Sequence, residues 1–172
     1  STLSYLESLA SSYGIQTEDT SWIRLPVTAH IVRSSSGFGG MSESAVFATI
    51  CNLNQRFVSA RISFYLLERV KFIDNTTYYG ATSYQPLMTM IDQNNVARTI
   101  NIYYTDLSGM SLCGFAFYPL TGPGGFQNDG AVVMSFGCSQ PEGTTLAHEL
   151  GHYLNLPHTF DETSFDPMDP IA

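Results

Sequence analysis

The string HELGHYLNLPH, residues 148–158, restricts local geometry more tightly than any other part of the chain. His148 and His152 are four residues apart, about 400° of rotation at 3.6 residues per turn, so on a helix both imidazoles leave the same face at adjacent turns. Glu149 stands about 100° round from His148, beside the histidine pair rather than between its members. A helix that ran on would carry position 158 away from that pair, so the chain must reverse. Asn155 tolerates the left-handed conformation that ends helices, and Pro157 forbids helical hydrogen bonding just before His158. Three imidazoles can therefore meet at one point.

Three neutral nitrogens and a water suit the tetrahedral preference of zinc, with the open fourth position of a catalytic site. The expected ligands are His148, His152 and His158 around one zinc ion. Glu149 then has the place of a general base hydrogen-bonded to a metal-bound water. A bare pair of histidines around a glutamate is a weak signal. The full set is specific, because the chain has four histidines and three of them occupy these offsets. The fourth, His30, falls inside an apolar run and reads as structural.

Upstream, the hydrophobic pattern predicts alternating strands and helices. Leu3, Leu6, Leu9 and Tyr13 recur at helical spacing up to Gly14, a short lead-in helix over 1–14. IRLPVTAHIV, residues 23–32, is a first strand that closes in the loop SSSGFGG. Ser42 can cap a helix whose stripe is Val46, Ile50, Leu53 and Phe57. Residues 61–73 read as one strand, with a polar turn at DNTT after it, and 83–95 as a helix with Ser83 as cap. Further strands are expected over 99–107, 113–120 and 131–136, and Ser139 with Glu142, or else Thr144, can cap the histidine helix. This order predicts an α+β, α/β-like domain with a mostly parallel sheet and an antiparallel strand at its edge.

Composition narrows the partners. The net charge is −8, with no basic cluster, so a phosphate backbone would be repelled and nucleic acid is excluded as a partner. Asp161, Glu162, Asp166 and Asp169 form an acidic run without Lys or Arg, either a solvated tail or a calcium loop. No apolar stretch is long enough to span a membrane. The 172 residues suit one domain, and nothing resembles a signal peptide. Three cysteines allow at most one internal disulfide. Cys51 reads as a small buried hydrophobe, while Cys113 and Cys138, in loop-like glycine-flanked contexts, are either bridged or free.

The string from His148 to His158 resembles the metzincin motif HExxHxxGxxH, with Asn155 where most members have Gly. Its continuation through Thr159 and Phe160 is most similar to the pappalysin-like branch. IRLPVTAHIV, NLNQRF, INIYYTDL, GFAFYP and DGAVV follow that branch's order of elements, so the resemblance covers roughly residues 23–160. It implies a metzincin-type, twisted, five-stranded mixed sheet packed on an active-site helix and a backing helix. It also implies a secreted zinc endopeptidase acting on protein or peptide substrates, which lie along the edge strand Gly114, Phe115, Ala116, Phe117 and Tyr118. Met168 would form the Met turn below the metal. The relatives' Tyr two residues after that Met has no match, since position 170 is Pro. Set against the resemblance, this departure implies either a minimal or a C-terminally truncated catalytic domain. The competing reading is a degenerate scaffold that holds zinc and binds protein or peptide without turnover.

Overall fold

The computed structural model describes residues 22–117 and 130–158. The lead-in helix expected over 1–14, Tyr118, Met168 and the acidic run from Asp161 to Asp169 lie outside the described residues. The sheet is organised around β1 (Ile23–Arg33), in which every residue from 25 to 32 is buried. A strand covered on both faces carries a continuous β-branched and apolar run, and that is what the string contains. β1 pairs in parallel with β2 (Ile62–Leu66), β3 (Lys71–Asp74) and β4 (Ile100–Thr105). β4 pairs in parallel with β6 (Val132–Ser135), and β5 (Gly114–Ala116) closes the far edge antiparallel to β6. The order is β2-β1-β4-β6-β5, with β3 also on β1. The fold is α+β with a mostly parallel mixed sheet, consistent with the metzincin type.

The strand expected over 61–73 is two strands. Leu66 stands opposite Val27 and Lys71 opposite His30, so this edge takes five steps where β1 takes three. The surplus is absorbed where Val70 turns into the core and a Lys71–Glu68 ion pair of 2.8 Å spans the step. DNTT is likewise more than a turn. Asn75 accepts hydrogen bonds from the N–H groups of Thr77 and Tyr78 and caps a one-turn helix, α2 (Thr76–Tyr79).

Alternation along the strands splits the core into two layers. Leu25, Val27, Ala29 and Ile31 of β1, with Ile100, Ile102 and Tyr104 of β4, face α1 (Glu43–Phe57) and the C-terminal helix α4 (Thr145–Tyr153). Ser42 caps α1 by accepting from the Ala45 N–H at 3.2 Å. Val46, Ile50 and Leu53 carry its buried face, each worth about 2 kcal/mol of burial. Cys51 is exposed, against expectation, because it projects about 100° away from Ile50. The opposite layer holds α3 (Tyr84–Asn94), whose Leu87, Met90 and Ile91 pack with Tyr103, Phe115 and Val133. Ser83 stands at its N-cap position without a side-chain hydrogen bond.

His30 is structural. It is 1% exposed and stacks on Tyr103, with ring centroids 4.2 Å apart and planes 7° from parallel. Asn101 fixes its tautomer. The Val96 N–H donates to Asn101 Oδ1, while Nδ2 donates to the carbonyls of Val96 and Thr99, so Oδ1 must be the atom that faces His30 Nε2 at 2.9 Å. Nε2 therefore carries the proton. Nδ1 is a buried acceptor with no partner among the described residues. Burial lowers the His30 pKa from 6.5 to about 4, the Asn101 hydrogen bond opposing and the Lys71 charge assisting.

An unfolded chain takes up this proton as pH falls through 6.5, whereas the folded one resists until about 4. The stability due to neutral His30 is therefore complete above pH 6.5 and is lost as pH falls toward 4, on the order of 3 kcal/mol in all. Denaturant unfolding of the parent and of His30→Phe at pH 7, 5.5 and 4.5 checks this. The parent should lose about 2 kcal/mol more than the variant between pH 7 and 4.5, and equal losses would refute the assignment.

Candidate metal centre

The helix that carries the motif is held from outside its own N-terminus. Thr144 occupies the N-cap position of α4 without a side-chain bond, and Ser139 instead donates to the Ser135 carbonyl at 2.7 Å, so neither expected cap operates. The preceding loop is pinned by α1 instead: Asn52 Nδ2 donates to the Gly143 carbonyl and Arg56 Nη2 to that of Glu142, each at 2.8 Å. Leu146, Leu150 and Tyr153 seat α4 in the core. This orientation leaves His148 exposed and His152 and Glu149 buried at its border.

The reversal after α4 is made by backbone hydrogen bonds. Asn155 has φ 68°, its N–H donates to the His152 carbonyl at 2.8 Å, and the Leu156 N–H reaches back to the Gly151 carbonyl at 2.9 Å. This pair of bonds around a left-handed residue is the Schellman ending of a helix. It also places the Leu156 carbonyl 2.8 Å from His152 Nδ1. Nδ1–H donates there, so Nε2 of His152 presents a lone pair.

The three Nε2 atoms form a triangle with sides of 3.1, 3.1 and 3.2 Å. Zinc–nitrogen bonds of about 2.0–2.1 Å at tetrahedral angles would separate the nitrogens by about 3.3–3.4 Å, so the donor set fits such an ion. Among the described residues this is the one group of three or more His, Cys, Asp and Glu side chains arranged to hold a metal. The calcium expectation rests on residues outside the described ones. Burial, and after it the neighbouring His158, holds His148 below its ordinary pKa. His152 is lowered chiefly by burial, with the Leu156 hydrogen bond opposing and its two neighbours assisting. Low pKa values keep imidazoles neutral, the form that binds metal.

Glu149 is 4% exposed, and its Oε2 has no hydrogen-bond partner among the described residues. Burial pushes its carboxyl up to about 7. Gly114 makes room for it. A Cβ at that position would stand 3.0 Å from Glu149 Cγ, 3.1 Å from the Val133 carbonyl oxygen and 3.2 Å from Met134 Sδ. Sequence reasoning placed Gly114 on the edge strand but missed this second duty, which only the packing of α4 against β5 reveals.

Within β5, hydrogen bonds from the Ser135 N–H to the Cys113 carbonyl and from the Phe117 N–H to the Ala131 carbonyl set the antiparallel phase. In that phase the N–H and C=O of Gly114 and Ala116 turn away from β6, toward the side on which no described strand pairs. The side chains of Phe115 and Ala116 are buried, and Phe115 makes edge-on ring contacts with Tyr84 and Phe117. What β5 offers is therefore backbone. Cys113 and Cys138 form a disulfide with Cα atoms 5.3 Å apart. Closing its loop of 25 residues contributes about 3 kcal/mol in chain-entropy terms.

A mixed sheet, a helix carrying two histidines and a buried glutamate, and a reversal delivering a third histidine together define a metallopeptidase scaffold. Residues 84–168 match the peptidase family described as pregnancy-associated plasma protein-A, and the chain is similar to these pappalysin-like metallopeptidases. It is similar to an extracellular metalloprotease of Arthroderma gypseum, 26% identical over 151 residues, which cover 83% of this chain and 50% of the relative. One from Colletotrichum graminicola is 26% identical over 175 residues, 95% of this chain and 60% of the relative. A third, from Arthroderma otae, is 35% identical over 71 residues, 37% of this chain and 26% of the relative. The chain thus spans about half the length of the curated relatives it matches. No helix among the described residues is long and apolar enough to cross a membrane.

The left-handed Asn155 yields a direct expectation. Asn155→Gly should leave unfolding free energy within about 0.5 kcal/mol of the parent, whereas Asn155→Ala should cost about 1 kcal/mol. Zinc affinity, measured by competition with a chromophoric chelator, should fall in the alanine variant and hold in the glycine one.

Proposed function

We propose that the chain is a secreted zinc endopeptidase in which His148, His152 and His158 hold the ion and Glu149 is the general base. The observation that carries this reading is the triangle of Nε2 atoms with, one residue along the same helix, a buried carboxylate oxygen that has no partner among the described residues. When bound, zinc supplies Lewis acidity toward a peptide carbonyl and toward the attacking water. Glu149 takes a proton from that water at a carboxylate oxygen and delivers it to the leaving amine. A raised carboxyl pKa favours the second half of that exchange. Gly114 and Ala116 bind extended peptide through their outward N–H and C=O groups, as in strand addition, with Phe117 following them; Tyr118, outside the described residues, belongs to the same proposal.

Secretion is supported by the relatives' names, which call them extracellular. Met168 belongs to the same proposal as the residue of the Met turn, and the family match runs as far as this position. The whole forms one catalytic domain. An intact Glu149 argues against the degenerate binding module, for which that carboxylate would be dispensable.

Glu149→Ala should bind one zinc per chain while peptide turnover falls by about 10²–10⁴-fold. Undiminished turnover in the purified variant would remove Glu149 from the mechanism. His152→Ala should lose stoichiometric zinc by elemental analysis, and retention of a full equivalent would sink the ligand assignment. A chelator should abolish turnover of the parent, and zinc readdition should restore it. Gly114→Ala should keep zinc yet lower kcat by about tenfold, because its methyl group displaces Glu149.

A further inference from the structure

We infer that the Cys113–Cys138 bridge is a positioning crosslink that holds β5 at a fixed register and distance from Glu149. The inference deepens the peptidase reading and, where it concerns substrate, rests on it. β5 has three residues, too few for its pairing with β6 to hold a strand reliably in place. Its upstream end is where the bridge acts, since Cys113 immediately precedes Gly114. Ser135 gathers both cysteines: its N–H donates to the Cys113 carbonyl at 2.9 Å, and its own carbonyl accepts from the Cys138 N–H at 3.0 Å. Beyond Cys138 the chain runs through the loop that Asn52 and Arg56 tie to α1 and then enters α4. A covalent path therefore joins the outward groups of Gly114 to the helix that carries Glu149 and two of the histidines.

The bridge is placed for alignment more than for core packing. Cys113 is exposed and Cys138 half-buried, and neither belongs to the two apolar clusters. Removing the bridge leaves no interior cavity. It frees the strand that meets peptide to slide or lift, so an extended peptide must order that strand as it binds, and binding weakens by the cost of the ordering.

The test compares the zinc-loaded full chain with Cys113→Ser/Cys138→Ser and Cys113→Ala/Cys138→Ala. An extended hexapeptide, which lies along β5, should show KM raised about tenfold with kcat within about threefold of the parent. A short substrate that contacts the zinc site alone should show unchanged KM, and zinc stoichiometry should hold. Amide exchange should speed at Gly114–Ala116 by more than it does through β1 and β4, which feel only the loss of global stability. A purely structural role would lower the active fraction, and so kcat, for both substrates at constant KM. That pattern, parent-like exchange at β5, or failure of both variants to fold would each overturn the proposal. Turnover absent from the parent, with exchange still faster at β5 in the variants, would defeat the peptidase reading and leave the positioning role standing.

Discussion

Everything at the histidine cluster depends on how one helix stops. The Leu156 amide reaches back across the end of α4 to the Gly151 carbonyl, and this is possible because Asn155 adopts φ 68°. Without that turn the third histidine would continue along the helix axis, and the first two would face solvent as a pair. The same turn sets the tautomer of His152 through the Leu156 carbonyl. One residue in an uncommon backbone conformation thus determines both where the third histidine stands and which nitrogen of His152 faces it.

The rest of the domain gives that helix something rigid to stand on. β1 carries pairing on both sides and burial on both faces, and it separates the layer of α1 and α4 from the layer of α3. Polar side chains within the second layer, Thr28, His30, Thr99 and Asn101, bond chiefly to one another and to nearby carbonyls. Apart from His30 Nδ1, these buried groups are satisfied among the described residues and specify one arrangement of strands, because a slip in register would strand several donors at once.

The amino-acid string disclosed the centre more fully than it disclosed the frame. The offsets of His148, His152 and His158, with Asn155 and Pro157 between, are local, and local geometry follows from helix parameters. The central strand and α1 were also legible, because burial on one or both faces leaves a periodic trace. The break between β2 and β3 was not. It depends on β1 advancing three residues while its neighbour advances five, a long-range fact that a window of the sequence does not contain. Cys51 misled for the opposite reason: an apolar residue in an amphipathic helix is easily assigned to the stripe beside it. Neither the anchoring of the 136–144 loop by Asn52 and Arg56 nor the fit of Gly114 against Glu149 has a local signature, since each joins elements far apart in the chain.

The division of the outer edge into β2 and β3 has a consequence for how the domain coexists with its own kind. An open sheet has two borders, and any long straight one is a template on which other chains can stack. Here the border away from the centre is cut into segments of five and four residues, kinked at Val70, and carries Glu68, Arg69 and Lys71 at the cut. It is a poor surface for self-association in a crowded or concentrated solution. The described border beside the histidines is three residues long. The sheet thus offers little continuous margin, on either side, along which copies of the same chain could stack.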